Sequence, residues 1–154
     1  MRRCSIYIYG VCVMVLLTFM SACDLHTSNN GDLDGFWQLT SMDTLSTGRS
    51  GDMRSQKIFW SVQASLLEMR DLHDVNPGMC HEPILFRFNH EGDRLSLSEP
   101  IANNRNISDS IVVDPVTVRF YGLSRLDETF KVLQLDADNM TLQSDYFRMY
   151  FRKY

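Results

Sequence analysis

The chain predicts an all-β fold of short antiparallel strands, and three observations carry that prediction. Beyond residue 33 apolar residues alternate with polar ones instead of recurring every three or four positions. Asn, Asp and Gly punctuate these alternating stretches at short intervals. No run at helical spacing stands between them to carry a parallel crossover. The class is therefore an antiparallel sandwich or an up-and-down barrel, with about eight or nine strands.

Residues 1–22 predict an address and no fold element. Arg2 and Arg3 precede an uncharged run from Ser5 to Ala22, dense in Ile, Val, Leu and Met, that stops at Ser21-Ala22-Cys23. A basic start, an apolar middle and small residues at the end are the parts of an export signal. Met20-Ser21-Ala22-Cys23 resembles a bacterial lipobox, with Met20 standing where Leu is usual. The resemblance implies that Cys23 is acylated and becomes the first residue of the mature chain, which lipid alone then holds to a bilayer. A retained spanning helix is the second reading, because a helix of about 20 apolar residues is needed and Ser5, Gly10, Thr18 and Ser21 interrupt this one. A plain secretory peptide, with Cys23 an ordinary thiol, is the third. Residues 23–32 are polar and without period, which predicts a flexible tether, and residues 33–154 form the folded domain.

The strands follow in order. Phe36 to Thr40 places Trp37 and Leu39 on one face, and Ile58, Trp60 and Val62 share a face in the next alternating stretch. Thr44 to Ser55 between them predicts a long polar loop. Gln56 to Asp71 predicts one long strand bent by a bulge, with a helical turn at Ala64 to Arg70 as its rival. Ile84 to Phe88 turns through Asn89 to Asp93 into Arg94 to Ser98, a hairpin with Gly92 in its turn. Glu99 to Ser110 predicts a second long loop. Phe130 to Leu135 turns at Asp136 to Asn139 into Met140 to Leu142. The last strand, Tyr146 to Tyr154, sets Phe147, Met149 and Phe151 on one side and Tyr146, Arg148, Tyr150 and Arg152 on the other.

Composition removes several functions. The chain has 154 residues with 15 Lys+Arg against 19 Asp+Glu. Loss of Arg2 and Arg3 with the signal leaves 13 against 19, a net charge of −6 that repels phosphate backbones and anionic headgroups. A nucleic-acid partner is not predicted. Of the four cysteines, Cys4 and Cys12 leave with the signal and Cys23 would be a thioether, so Cys80 alone stays a thiol and no disulfide framework forms.

The densest chemical cluster is Asp71-Leu72-His73-Asp74 followed by Cys80-His81-Glu82. His73, Cys80 and His81 are zinc-ligand types, yet adjacent Cys80 and His81 in a Pro-Gly loop point different ways, so a solvated loop is the favoured reading and no metal is predicted. A thiolate at Cys80 has no helix N-terminus to stabilise it, and no catalytic residue is assigned. The paired carboxylates Asp127-Glu128 and Asp136 with Asp138 fall in turns, where Asp supports the backbone. Phosphate-loop, dinucleotide, zincin and hydrolase motifs are missing from the sequence, and no cofactor is predicted. Asp43-Thr44-Leu45 and Asp109-Ser110-Ile111 resemble a Bacteroidetes O-glycosylation acceptor, in loops expected to be exposed.

Leu33-Asp34-Gly35-Phe36-Trp37 opens the domain, and a Gly-x-Trp at the start of a first strand resembles the lipocalin and wider calycin signature. With Tyr150-Phe151-Arg152-Lys153-Tyr154 at the other end, residues 33–154 are similar to the lipocalin-like lipoproteins of Bacteroidetes. The resemblance implies an eight-stranded up-and-down β-barrel in which Gly35 and Trp37 close one end beneath a basic residue of the last strand, Arg152 in preference to Arg148. It implies a non-enzymatic protein of the bacterial cell envelope, anchored to the outer membrane through Cys23. A barrel of this size is either filled by side chains or holds one small ligand. The first expectation is a small apolar ligand in or at the mouth of the barrel, lined by Leu39, Trp60, Val62, Phe86, Phe88, Phe147, Met149 and Phe151. The alternative is a filled barrel that binds a protein or glycan through its long loops.

Overall fold

The computed structural model describes residues 28–72, 81–103 and 109–154. The export segment, Cys23, most of the tether, and His73, Asp74 and Cys80 lie outside the described residues.

The strands are β1 (Gly35–Thr44), β2 (Arg49–Asp52), β3 (Ile58–Gln63), β4 (Leu66–Asp71), β5 (Ile84–Glu91), β6 (Arg94–Ala102), β7 (Ser110–Ile111), β8 (Glu128–Leu135), β9 (Asn139–Gln143) and β10 (Phe147–Lys153), with one short helix, α1 (Val116–Arg119). They form one antiparallel sheet in which β1, β3, β4, β5, β6, β8, β9 and β10 pair in succession, and β10 returns to pair with β1. That last pairing closes the sheet into an eight-stranded barrel, which removes the exposed edges an open sheet would present.

Two short strands stand off this ring. β2 folds back on the second half of β1, from Ser41↔Asp52 to Thr44↔Arg49, and β7 adds to the end of β6. β2 corrects the expected loop at Thr44 to Ser55. All four of its residues are exposed, so no apolar alternation marks it. The single bent strand expected over Gln56 to Asp71 is two strands, β3 and β4, in full register from Ile58↔Asp71 to Gln63↔Leu66. Their turn is Ala64-Ser65, with Ala64 at φ +54. Ala64, at the positive φ, is not a usual turn residue, and Ser65 alone is a weak signal. The expected loop from Glu99 is strand as far as Ala102.

Strand direction sorts the connections to the two ends of the barrel. The turns β3–β4, β5–β6 and β8–β9 are short and share one end with the entry to β1 and the exit from β10. The longer connections after β1, β4 and β6 share the other end with the β9–β10 turn. The first is the closed end, the second the loop end. Between them, alternation turns Trp37, Leu39, Trp60, Val62, Leu67, Met69, Phe86, Leu95, Leu97, Phe130, Met140, Leu142, Met149 and Phe151 into one core. A bulge between Leu39 and Ser41 shifts the register of β1, after which Met42 packs against that core.

Candidate functional site

The closed end is built on Gly35. Its φ of +133 lies in the region that disfavours side chains, and a Cβ there would stand 2.6 Å from Lys153 Cε. The missing side chain lets Lys153 cross over the entry to β1. Its Nζ lies 4.7 Å from the centre of the Trp37 ring and donates to Asp32 O at 2.9 Å. Trp37 donates from Nε1 to Leu33 O at 2.8 Å, tying the barrel to the 3-10 turn Gly31–Leu33 whose Leu33 is fully buried. A cation over an indole face contributes about 0.5 to 2 kcal/mol according to its desolvation.

This corrects the expected stopper. Arg152 pairs with Gln38 and Asn139, on the exposed side of β10, whereas Lys153 pairs with Trp37 itself. Side chains alternate along a strand, and Met149 and Phe151 point inward, so residue 153 follows them and residue 152 cannot.

The interior is filled. Leu39, Trp60, Leu67, Met69, Ile84, Phe86, Leu95, Phe130, Met140, Leu142 and Met149 have 0% of their surface accessible, and Val62 and Phe151 only 3%. A void wide enough for one water molecule would leave accessible area on its walls, and these walls have almost none. Phe88 and Phe147, the remaining residues expected to line a cavity, are partly buried against the same core. Trp60 lies against Phe151 and Phe130, at 4.8 and 5.8 Å between ring centres. Its Nε1 is buried without a hydrogen-bond acceptor among the described residues.

The loop end is stoppered by the chain's own segment 112–123. Val112, Val118, Tyr121 and Leu123 are buried in the core, and α1 between them is a single turn that no sequence period announced. Gly122, at φ +91, leaves only 2.6 Å from its absent Cβ to Met149 Sδ. Polar contacts hold the plug to the strand ends beside it. Tyr121 donates from its hydroxyl to Glu82 O at 3.0 Å. His81 stacks on Phe120 with 3.7 Å between ring centres. The buried Asp71 carboxylate accepts the His81 backbone N–H at 3.0 Å and lies 3.1 Å from His81 Nδ1. His81 is thereby committed to a neighbouring carboxylate, and no three His, Cys, Asp or Glu side chains converge on a metal position among the described residues.

Outside the barrel, a cleft of about 400 Å³ lies over the start of β8, lined by Asp93, Arg94, Arg125, Asp127, Glu128, Thr129, Lys131, Gln143, Ser144 and Asp145. Sequence reading treated Asp127 and Glu128 as turn residues only. Glu128 does serve that end, accepting from Ser124 N, Ser124 Oγ and Arg125 N at 2.9, 2.6 and 3.1 Å. Asp43 and Thr44 likewise lie in β1 rather than in an exposed loop, with Asp43 accepting from the Tyr150 hydroxyl at 2.8 Å.

A family model described as a lipocalin-like domain matches residues 16–154. The chain belongs to the lipocalin-like family. The lipocalin-like barrel is similar in fold to a solved lipocalin-like protein from Bacteroides uniformis ATCC 8492, with 21% identity and a TM-score of 0.59, over 80% of this chain and 100% of that one. It is also similar to an uncharacterized protein from Bacteroides eggerthii DSM 20697, with 20% identity and a TM-score of 0.58, over 79% and 98% of the two chains. No curated protein gives a match. Lipocalin-like barrels are in general binding folds, which is the level at which the family speaks to function.

Proposed function

We propose that this lipocalin-like chain is a non-enzymatic, lipid-anchored protein of the bacterial outer membrane whose barrel is a filled scaffold that binds through its exterior. One observation carries the choice of exterior over interior: core and plug together have almost no accessible surface, so a ligand inside would have to displace packed side chains. Support for the anchor comes from Arg2, Arg3, the uncharged run and Ser21-Ala22-Cys23. The seven residues between Cys23 and the 3-10 turn at Gly31 would span at most about 25 Å, enough to hold the closed end near a bilayer with the loop end directed away.

The experiment is titration of the full chain with an apolar fluorescent probe, cis-parinaric acid, with competition by unlabelled fatty acid. No saturable, competed binding is expected, and a stoichiometric site would overturn the reading. A palmitate-analogue label should enter the wild-type chain and not Cys23→Ala; equal labelling of the two would refute the anchor.

A second reading, a small ligand held inside once the plug is displaced, is favoured by the Trp60 Nε1–H that has no acceptor, since a ligand carbonyl or hydroxyl would supply one. Saturable probe binding that Trp60→Phe weakens would establish it.

A further inference from the structure

We infer that the cleft on the outer wall of the barrel, across β5, β6, β8 and β9, is a binding site for a neutral saccharide. It deepens the reading of an exterior-binding scaffold by naming a site and a ligand class.

The position of the cleft follows from the strand pairing. β9 pairs with β8 only from Lys131 onward, so Glu128, Thr129 and Phe130 have a strand neighbour on the β6 side and none on the other. The wall is therefore parted beside the start of β8. The residues that flank this seam are fixed by their own bonds. The turn before β8 is folded around Glu128 as described, and the β9–β10 turn is closed by Ser144 Oγ, which accepts from Tyr146 N at 3.2 Å and Phe147 N at 3.1 Å. Arg125 joins the two sides, with Nη2 3.1 Å from Asp145 Oδ2 and its guanidinium 5.8 Å from the centre of the Tyr146 ring. A cleft held open in this way requires little ordering when a ligand arrives.

The ligand class follows from what is left unused. Arg125 is paired with Asp145, Lys131 lies 4.0 Å from Asp93, and Glu128 Oε2 is taken by three donors. Among the described residues the side chains of Arg94 and Asp127 make no ion pair or hydrogen bond. Gln143 accepts from Arg148 at 2.8 and 3.0 Å through Oε1, which turns its Nε2 donors elsewhere. Among the described residues the cleft thus offers the unpaired Arg94 and Asp127 and the amide N–H donors of Gln143, without an apolar side chain in its lining. An apolar ligand has nothing to rest on. A phosphate or other anion meets Asp93, Asp127 and Asp145 beside the basic groups, and a metal ion finds no converging carboxylates among the described residues. A hydroxyl both donates and accepts, so a polyhydroxylated, uncharged molecule suits donors and acceptors interleaved in this way.

The cleft also has length. A second hollow of about 250 Å³, lined by Asn89, Glu91, Arg94, Ser96 and Thr129, shares Arg94 and Thr129 with the first. Together they run across four neighbouring strands spaced about 4.8 Å apart, room for a short oligosaccharide laid across the wall.

The test is binding of the full chain, in detergent solution, to immobilised neutral, anionic and cationic oligosaccharides, with wild type beside Arg94→Ala, Asp127→Ala and, on a different part of the wall, Arg70→Ala. All three changes are at the surface, and a circular dichroism spectrum identical to wild type confirms that each variant folds. Saturable binding to a neutral oligosaccharide is expected, weakened tenfold or more by Arg94→Ala and by Asp127→Ala and unchanged by Arg70→Ala. Absence of binding to every neutral oligosaccharide, binding to anionic ones alone, or binding that both cleft variants retain would each overturn the inference. The apolar-probe titration on the same samples keeps the two readings apart, since an empty saccharide result with no probe site removes this inference and leaves the filled scaffold standing.

Discussion

Gly35 meets two demands at once, a positive φ and the passage of the Lys153 side chain 2.6 Å from where a Cβ would be. Gly35→Ala should therefore destabilise the fold by about 1 to 3 kcal/mol, read as a lower urea midpoint. Lys153→Ala in the same assay should cost about 1 kcal/mol, while Arg152→Ala should cost nothing measurable. An equal loss in the two variants would contradict the placement of Lys153 over Trp37. The Gly-x-Trp half of this arrangement was legible in the sequence. Its basic partner was misread by one residue, because the family pattern was followed where the alternation of Phe147, Met149 and Phe151 already pointed to 153.

Asp43 and Asp136 contribute to acid sensitivity at the same scale. Hydrogen bonds from Ser50 and then Tyr150 hold Asp43 below its ordinary 3.8, and those from the Asp138 backbone, Gln134 and Asn139 do the same for Asp136. Each is bound more tightly as an anion in the folded chain than in the unfolded one. The stability they contribute is complete above pH 3.8 and is lost as pH falls through their lower folded values. The urea midpoint should drop as pH is lowered below 3.8, and Asp136→Asn, which no longer titrates, should lessen that drop; an undiminished drop would remove Asp136 from the account.

At the scale of the element, the decisive piece is the segment around α1 that fills the loop end. Four helical residues are too few to show a period, and Val112 and Val118 are separated by turn residues, so sequence reading passed over it. β2 was missed for the opposite reason, since a wholly exposed strand has no apolar face to alternate. The plug is fastened by close packing at Gly122 and by the Tyr121 hydroxyl. Gly122→Val should loosen it, exposing 112–123 to limited proteolysis and raising the fluorescence of an apolar dye. Tyr121→Phe should cost about 1 kcal/mol and leave the segment protected. Cleavage elsewhere, with 112–123 still resistant in Gly122→Val, would show that the plug does not depend on that contact.

For the whole molecule, alternation made the barrel and its core legible, because most inward positions from Trp37 to Phe151 report the same period, interrupted at bulges such as the one after Leu39. Whether the barrel has any room was not legible. Bulky side chains at inward positions suit a filled core and a lined cavity equally, and the difference lies in how their volumes fit across the barrel. Trp60 tests that fit. Trp60→Ala should cost about 3 to 5 kcal/mol by leaving a void, whereas Trp60→Phe, which also deletes a buried donor without an acceptor, should cost about 1 kcal/mol. Similar losses in the two variants would mean that the indole nitrogen has a partner after all.

The pairing of β10 with β1 also governs when the chain can fold. Thr40 donates to Tyr150 O across 110 residues of sequence, and β1 lacks one of its neighbours until β10 is in place. Contacts so distant in sequence make for slow folding, since the loop between them must be ordered before they form. A chain synthesised from its N-terminus therefore stays open until β10 has been made. On the proposed anchoring that delay has a use, because an unclosed barrel can still be threaded through a membrane.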